Sequence, residues 1–266
     1  MVGIRDSSVN RSRLDVVRAL AAAGCVAPAD EADELIRAAH AGVAPLDEIL
    51  VRRERGEPLA WIVGSLEFCG LPIRVEPGVY VPRAHTEPLA RRAASLLPEV
   101  GVAVDLCTGS GAVAAVMHHA RPAATVLGTD IDQIAVACAT SNGITALRGD
   151  LDDPLPVSLV GLVDVMTAVV PYVPREEMHL LPRDVIAFEP HLALDGGPGG
   201  TRFLERVARL SVRWLRRGGH LLLEIGGDQA RVLEPTFRAL GLSNPGIHRD
   251  AEGHDRAIEL TLRNGR

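Results

Sequence analysis

The chain has 266 residues and no lysine, because all 28 basic residues are arginine. With 34 acidic residues the formal net charge is −6. A nucleic-acid surface needs clustered cations that displace counterions from phosphates, so we expect no nucleic-acid partner. The four cysteines are more than thirty residues apart and form no C-x-x-C pair. Neither a zinc site nor a redox pair is therefore predicted, and we expect no metal.

Long apolar runs are also missing from the sequence. A membrane-spanning helix needs roughly 18 to 20 consecutive apolar residues, and no run in this chain approaches that length. The first residues, Met1–Asp6, have no apolar core and reach an acid at once, unlike a secretory signal. We expect a cytoplasmic chain without a membrane partner.

Aromatic residues are scarce, and three of the few present fall in one short stretch: Trp61, Phe68 and Tyr80. Apolar residues there are punctuated by glycines, a pattern that predicts a β-hairpin linker over residues 59–84. The aromatic side chains are explained either by packing within the hairpin or by the wall of a ligand pocket.

The region before this linker has a helical pattern. Between residues 9 and 55 apolar side chains recur at spacings of three and four. Four turn-forming residues divide the region into about three short helices: Gly24, Pro28, Gly42 and Pro45. We expect residues 1–58 to form a small helical domain that serves as a cap or a substrate-docking unit.

Residues 85–266 alternate between strand and helix patterns, which is typical of βαβ units and a parallel sheet covered by helices on both faces. The predicted strands are 102–107, 125–131, 144–150, 162–170, 220–226 and 257–262. The predicted helices are 88–97, 110–119, 133–140, 200–215 and 228–240.

The first strand of this region runs into a glycine turn that opens a helix. The turn comprises Cys107, Thr108, Gly109, Ser110 and Gly111. Glycines allow the backbone to approach a ligand closely, and the helix N-terminus offers free N–H groups to an anion. Nineteen residues beyond Gly111, at the end of the second strand, Asp130 can accept both hydroxyls of a ribose. The pairing predicts an adenosine ligand.

Two further acids bear on which adenosine ligand binds. A loose G-x-G-x-x-A pattern also suits NAD, but Asp105 lies just before the glycines and Asp150 lies at the tip of the third strand. A carboxylate beside the turn would repel a pyrophosphate and attract the amino group of a methionine moiety. These acids favour S-adenosylmethionine, although Asp105 alternatively ties down the glycine loop. Ile131 and Leu151, which follow Asp130 and Asp150, are assigned to the same cofactor site.

The fourth strand ends in an apolar proline turn, Val169-Val170-Pro171-Tyr172. In an open parallel sheet the ligand lies beyond the carboxyl ends of the strands, near the point where strand order reverses. We therefore expect this turn beside the methyl donor, with Val169 contacting both the cofactor and the acceptor.

By these motifs the chain resembles the HemK/PrmC family, N5-glutamine methyltransferases that modify peptide release factors, and in particular its actinobacterial-type paralogues. The resemblance covers nearly the whole chain. It is carried by the segments 55–59, 81–87, 105–111, 189–197, 223–229 and 250–256. It implies a class I methyltransferase domain with a Rossmann-like seven-stranded sheet that ends in one antiparallel strand, and S-adenosylmethionine as cofactor.

The departures from the family pattern concern the acceptor. The family turn reads N-P-P-Y, and its Asn helps to clamp a glutamine amide, whereas Val169 and Val170 stand at the first two positions here. An amide placed against Val169 would lose a hydrogen-bonding partner at a cost of about 1–3 kcal/mol. The family element P-R-P-E-T-E has His85 at its fourth position, and Cys107 replaces the leading Gly of the G-T-G-S-G loop.

We therefore expect an S-adenosylmethionine-dependent methyltransferase that acts on an acceptor other than release-factor glutamine. The acceptor would be a small molecule or a peptide-derived natural product, methylated on nitrogen or on an electron-rich carbon. The expected catalytic residues are Val169, Val170, Pro171, Tyr172 and His85, with His85 either a general base or a solvent-exposed loop residue. Glutamine transfer and a non-catalytic cofactor-binding protein stay as alternatives, and the oligomeric state is open, a homodimer included.

Overall fold

The structure is a computed structural model that describes residues 11–250 and 252–263. The segment 1–10, on which the expectation about a secretory signal was based, lies outside the described residues. The chain divides into two compact units, Met1–Gly64 and Ser65–Arg266. No described helix combines the length and the apolar character that crossing a bilayer demands.

The first unit contains four helices: α1 (Arg13–Ala22), α2 (Pro28–His40), α3 (Leu46–Glu54) and α4 (Leu59–Val63). Their apolar faces form one core that includes Leu20, Leu35 and Ile49. The three helices predicted from periodicity are confirmed. Within the predicted linker, residues Leu59–Val63 form helix α4, which begins after Pro58 and ends at Gly64 in the left-handed conformation at φ +85°.

The second unit begins with a hairpin, β1 (Ser65–Phe68) and β2 (Leu71–Arg74). Cys69 and Gly70 form its two-residue turn, and both have positive φ, as the right-handed twist of a hairpin favours. The hairpin is shorter than the predicted linker, and the division of the chain at residues 58 and 84 stays a prediction.

A seven-stranded sheet with helices dominates the rest of this unit. In chain order the elements are α5 (Glu87–Leu96), β3 (Val102–Leu106), α6 (Ala112–Ala120), β4 (Thr125–Asp130), α7 (Gln133–Ser141), β5 (Thr145–Arg148), β6 (Val163–Ala168), α8 (Arg183–Phe188), α9 (Arg202–Trp214), β7 (Leu215–Glu224), α10 (Gln229–Ala239), β8 (Leu242–Arg249) and β9 (Asp255–Leu262). The sheet order is β5-β4-β3-β6-β7-β9-β8. Strand β9 runs antiparallel to both of its neighbours, which confirms the predicted sheet.

Strand β8 is missing from the predicted strands, because the Asn-Pro pair at 244–245 indicates a turn. Proline cannot donate a ladder hydrogen bond and is tolerated in an edge strand, which is where β8 lies. The register against β9 shifts between Ser243 and Gly246, around this proline.

The centre of the sheet fixes the position of the site. Strands β3 and β6 are parallel neighbours, and their last residues, Leu106 and Ala168, pair directly. From this pair the chain order runs outward in opposite directions, so the switch point lies between β3 and β6. The glycine loop and the Val169 turn therefore leave the sheet side by side, above a core of buried side chains such as Leu106 and Met166.

Candidate active site

A cavity of about 360 Å³ lies at the carboxyl edge of the parallel strands, within the size range of small-ligand sites. Eleven of its wall residues were predicted from sequence as site residues: Asp105, Cys107, Thr108, Gly109, Ser110, Asp130, Ile131, Asp150, Leu151, Val169 and Pro171. Four other predicted residues, Gly111, Val170, Tyr172 and His85, lie outside this wall.

The glycine loop takes its shape from positive φ angles at Cys107, Gly109 and Gly111. Gly111 is the N-cap of α6 rather than part of the cavity wall. A Cβ atom there would lie 3.0 Å from the Cβ of Ala139, so a side chain at this position would crowd the contact between α6 and α7. Cys107 is a non-glycine residue at φ +54°, which explains why glycine suits this position. Burial and the nearby carboxylates raise the pKa of the Cys107 thiol and leave it unreactive.

Asp105 ties the loop to the sheet. Its Oδ2 accepts a hydrogen bond from Thr108 Oγ1 at 2.7 Å, and its Oδ1 accepts one from Thr167 Oγ1 at 2.6 Å. Burial raises the pKa of Asp105 to about 6 despite these hydrogen bonds. Because both oxygens already bind hydroxyl groups, the structure supports the loop-tying role that the sequence left as an alternative, while the residue still borders the cavity.

Asp130 stands at the end of β4 and also faces the cavity. Its Oδ2 accepts from the N–H of Gly109 at 2.9 Å, and its Oδ1 accepts from the N–H of Asp132 at 2.9 Å. These bonds hold the carboxylate plane in one orientation, with the remaining lone pairs available to a diol. Burial raises the pKa of Asp130. Two fixed oxygens beside a glycine loop suit a ribose.

The cavity wall also contains residues that the sequence reasoning missed. Asp150 accepts a hydrogen bond from Arg206 Nη2 at 2.9 Å, and the Arg206 guanidinium lies 5.7 Å from the ring centroid of Phe203. Phe203 and Arg206 come from α9 and line the cavity beside Leu151. Residue spacing gives no signal for them, because α9 follows β6 by more than thirty residues and reaches the site only through the fold.

The turn Val169-Val170-Pro171-Tyr172, called the acceptor turn below, has side chains in the cavity wall and in the apolar core. Val169 and Pro171 line the cavity, whereas the side chain of Val170 is buried in the apolar core at 1% exposure. The carbonyl oxygen of Tyr172 accepts from Gln229 Nε2 at 2.8 Å. An apolar side chain therefore stands at the position where the family has an amide.

His85 does not line the cavity itself and belongs to a small polar cluster beside Tyr172. Its Nε2 is 3.3 Å from Glu224 Oε1 and 3.5 Å from Tyr172 Oη. The neighbouring Thr86 lines the cavity and donates its hydroxyl hydrogen to Glu224 Oε2 at 2.6 Å. The structure thus brings together His85 and Tyr172, two predicted residues from distant parts of the chain.

Arg83 forms a second set of side-chain contacts next to the cavity wall. Arg83 Nη2 donates to Glu189 Oε1 at 2.5 Å, and the guanidinium lies 4.9 Å from the ring centroid of Tyr80. Burial raises the pKa of Glu189, and Arg83 opposes that rise. The contact joins two wall segments, one ending near Thr86 and one beginning at Pro190. The family motif at 189–190 was the sequence signal for this segment.

The three aromatic residues near the hairpin were assigned either to packing within the hairpin or to the wall of a ligand pocket. Phe68 and Tyr80 line the cavity, so for these two the pocket-wall interpretation is supported. Trp61 belongs to the first unit, where it is buried.

The sequence and the fold are similar to those of known proteins. The chain is 35% identical over 273 residues to the release factor glutamine methyltransferase of Moorella thermoacetica, covering 92% of this chain and 95% of the relative. It is 36% identical to the 4-amino-L-phenylalanine/4-methylamino-L-phenylalanine methyltransferase of Streptomyces pristinaespiralis, over 84% of each chain. The catalytic domain of hMettl16, solved with an RNA hairpin, matches with a TM-score of 0.60 at 13% identity, over 79% of this chain and 82% of that one. No family model matches the sequence.

The sheet order, the switch-point cavity and the glycine loop bound to Asp130, together with the methyltransferase relatives, define a class I methyltransferase that uses S-adenosylmethionine. The 35% identity to a curated relative, of which 95% is covered, assigns the chain to one family within this class. The chain belongs to the HemK/PrmC family of release factor glutamine methyltransferases.

Proposed function

We propose that this methyltransferase acts on an acceptor other than release-factor glutamine, namely a small molecule or a peptide-derived natural product with a reactive amine or an electron-rich ring carbon. The observation that carries the proposal is Val169, which lines the cavity where the family places an amide-clamping Asn. Its side chain neither donates nor accepts a hydrogen bond. An amide held there would lack one partner, so discrimination in favour of glutamine is weakened.

The rest of the wall near the acceptor turn suits an apolar acceptor. Val79, Val113, Pro171 and Leu192 border the same cavity as Val169. An aromatic or aliphatic body buried against such side chains gains about 25 cal/mol for each Å² removed from water. Orientation by shape then replaces orientation by an amide clamp.

One relative supports this direction by its name. The protein of Streptomyces pristinaespiralis methylates 4-amino-L-phenylalanine and its monomethyl product, so a chain 36% identical to this one acts on an amine of a small aromatic molecule. Most other curated relatives carry the release-factor name, which keeps glutamine transfer as the second candidate.

The proposed roles of the residues follow from their places around the cavity. The loop 107–111 and Asp130 hold the cofactor, together with Ile131, Asp150 and Leu151, and Asp105 holds the loop. S-adenosylmethionine, when bound, would supply the methyl group: its bond to sulfur would break as an electron pair of the acceptor forms the new bond, which would leave a surplus proton on the acceptor atom. Val169 and Pro171 exclude water and orient the acceptor. His85 takes the proton, and Tyr172 packs behind the turn.

We propose the cytoplasm as the compartment, where this cofactor and either class of acceptor are found together. The oligomeric state, including a homodimer, is left to hydrodynamic measurement.

A labelled-methyl experiment tests the proposed acceptor. Purified protein is incubated with methyl-labelled S-adenosylmethionine and a lysate of its source organism that has been fractionated by size. We expect label in the small-molecule or peptide fractions. Heat-inactivated protein is the control for transfer by lysate enzymes.

Label confined to the peptide release factor contradicts the proposed acceptor and supports the second candidate. Binding of the donor, measured by calorimetry, without label in any fraction indicates a non-catalytic protein instead.

A further inference from the structure

Glu224, the last residue of β7, is a carboxylate whose side chain is only 1% exposed. A charge in such a place is stable only if hydrogen bonds or an opposite charge compensate the lost hydration. One oxygen accepts from Thr86 Oγ1 at 2.6 Å, and the other faces His85 Nε2 at 3.3 Å. Within the described part of the chain, His85 is the one side chain near Glu224 that forms an ion pair with it when protonated.

The Glu224 contact determines which nitrogen of His85 carries the proton. A carboxylate only accepts hydrogen bonds, so the ring nitrogen facing it, Nε2, is the protonated one. The lone pair of the neutral ring then lies on Nδ1. Tyr172 Oη, 3.5 Å from Nε2, borders the same group. Burial, and after it the charge of Glu224, raises the pKa of Tyr172, so the phenol stays neutral.

The cluster borders two segments of the cavity wall. His85 directly precedes Thr86, and Tyr172 directly follows Pro171, and both of these neighbours line the cavity. The His85 side chain is 29% exposed, so a proton held on the ring exchanges with solvent water.

We propose that Glu224 is a positioning residue that acts through His85, by fixing the Nε2–H tautomer and by balancing the charge of the imidazolium that forms when Nδ1 takes the acceptor's proton. The inference rests on the proposed function, in which methyl transfer leaves a surplus proton on the acceptor atom. The proton moves from that atom to Nδ1 and then to water.

The chain offers a control carboxylate outside the described cavity wall. Glu259 in β9 is another buried carboxylate that faces an imidazole, with His220 Nδ1 at 3.2 Å from Glu259 Oε1. Neither of these residues belongs to the described cavity wall. Arg92 Nε also donates to Glu259, at 2.7 Å. Glu259→Gln therefore removes a buried, paired charge beside a histidine at a residue outside the cavity wall.

Nitrogen NMR of ¹⁵N-histidine-labelled protein tests the tautomer directly, with His85 assigned by the signal that disappears in His85→Gln. In wild-type protein we expect the Nε2–H tautomer when the ring is neutral. In Glu224→Gln the amide can donate to the ring, so we expect a mixture or the Nδ1–H form. Glu259→Gln should leave the His85 signals unchanged. An unchanged His85 tautomer in Glu224→Gln overturns the proposal.

The second readout is the rate of methyl transfer in the two variants. The assay uses labelled S-adenosylmethionine as donor, and as acceptor the fraction that wild-type protein labels. Loss of the correct tautomer should lower kcat of Glu224→Gln about 100-fold and leave the KM for the donor within about twofold. Glu259→Gln should keep kcat within about threefold of wild type. Equal kcat values in the two variants overturn the proposal.

If wild-type protein labels release factor instead, the proposed acceptor fails, but release factor then serves as acceptor in the same comparison and Glu224 is still tested. If Glu224→Gln does not fold, Glu224→Asp takes its place. The shortened side chain withdraws the carboxylate from Nε2, so kcat should fall at least about tenfold. A wild-type kcat in Glu224→Asp overturns the proposal.

Discussion

Gly200 lies directly against the acceptor turn: a Cβ atom at Gly200 would stand 2.0 Å from the carbonyl oxygen of Tyr172. The same carbonyl accepts the hydrogen bond from Gln229 Nε2. Gly200 also has φ +67°, in the region that favours glycine. The turn that borders the cavity is thus held from behind by a backbone contact that leaves no space for a side chain.

Gly200→Ala should therefore displace the turn. The neighbouring Gly199→Ala is the matched control, because Gly199 has φ +61° but no atom within 4 Å of an added Cβ. Both variants incur left-handed strain, about 1–2 kcal/mol, and only Gly200→Ala adds an overlap, about 1–3 kcal/mol. Urea unfolding should show Gly200→Ala at least about 1 kcal/mol less stable than Gly199→Ala. Equal stabilities would show that the turn is not confined by Gly200.

The buried Asp105 should make the free energy of unfolding depend on pH. Its pKa rises from 3.8 to about 6 on folding, so between these values the folded state binds the proton more tightly. Its stabilising contribution is complete below pH 4 and is lost as pH rises through 6, a decrease of about 3 kcal/mol.

Urea unfolding of wild type and Asp105→Asn from pH 4 to 7 measures this contribution, since the amide does not titrate. Relative to the variant, wild-type protein should lose stability across that interval. A constant difference between the two proteins would contradict the raised pKa.

The left-handed conformation of Cys107 predicts an unusual order of stabilities. Glycine adopts φ +54° freely, whereas a β-branched side chain at this angle meets the backbone. Cys107→Val should be about 1–2 kcal/mol less stable than Cys107→Gly, although valine is closer to cysteine in size and apolarity. Thermal or urea unfolding compares them. A valine variant as stable as the glycine one would show that the loop does not hold residue 107 in this conformation.

Asp130 should control the affinity for the donor. Asp130→Ala removes the carboxylate that we assign to the ribose hydroxyls, and two charge-assisted hydrogen bonds support an expected loss of about 100-fold in Kd. Calorimetric titration with S-adenosylmethionine measures the loss. Asp228→Ala, at an exposed acid outside the described cavity wall, is the control. Unchanged affinity in Asp130→Ala would show that the ribose lies elsewhere.

Much of the fold could be predicted from periodicity and turn residues. The alternating pattern from residue 85 onward predicts the parallel sheet because each strand and helix buries its apolar side locally. The helix at 59–63 and the edge strand β8 were missed, since a five-residue helix has too few residues to show a period. In β8 the Asn-Pro pair conceals a strand whose edge position accommodates proline.

Part of the candidate site could also be predicted from the sequence, and part of it could not. The loop 107–111 and Asp130 follow strands directly, so sequence order predicts their place at the carboxyl edge. Phe203 and Arg206 reach the cavity from α9, and Glu224 meets His85 across 139 residues of chain. Such contacts depend on how helices and strands pack, and a single sequence contains no local signal for them.

The central claim is that the methyl acceptor is not release-factor glutamine. The most direct test compares two kcat/KM values of wild-type protein. One is for methyl transfer to purified peptide release factor, and the other is for transfer to the small-molecule or peptide fraction that accepts label. Val169→Asn restores the family side chain, so it should keep donor affinity within about threefold and lower turnover on the true acceptor about tenfold or more. The account predicts that wild-type protein prefers the small-molecule or peptide fraction. A wild-type preference for release factor would contradict it.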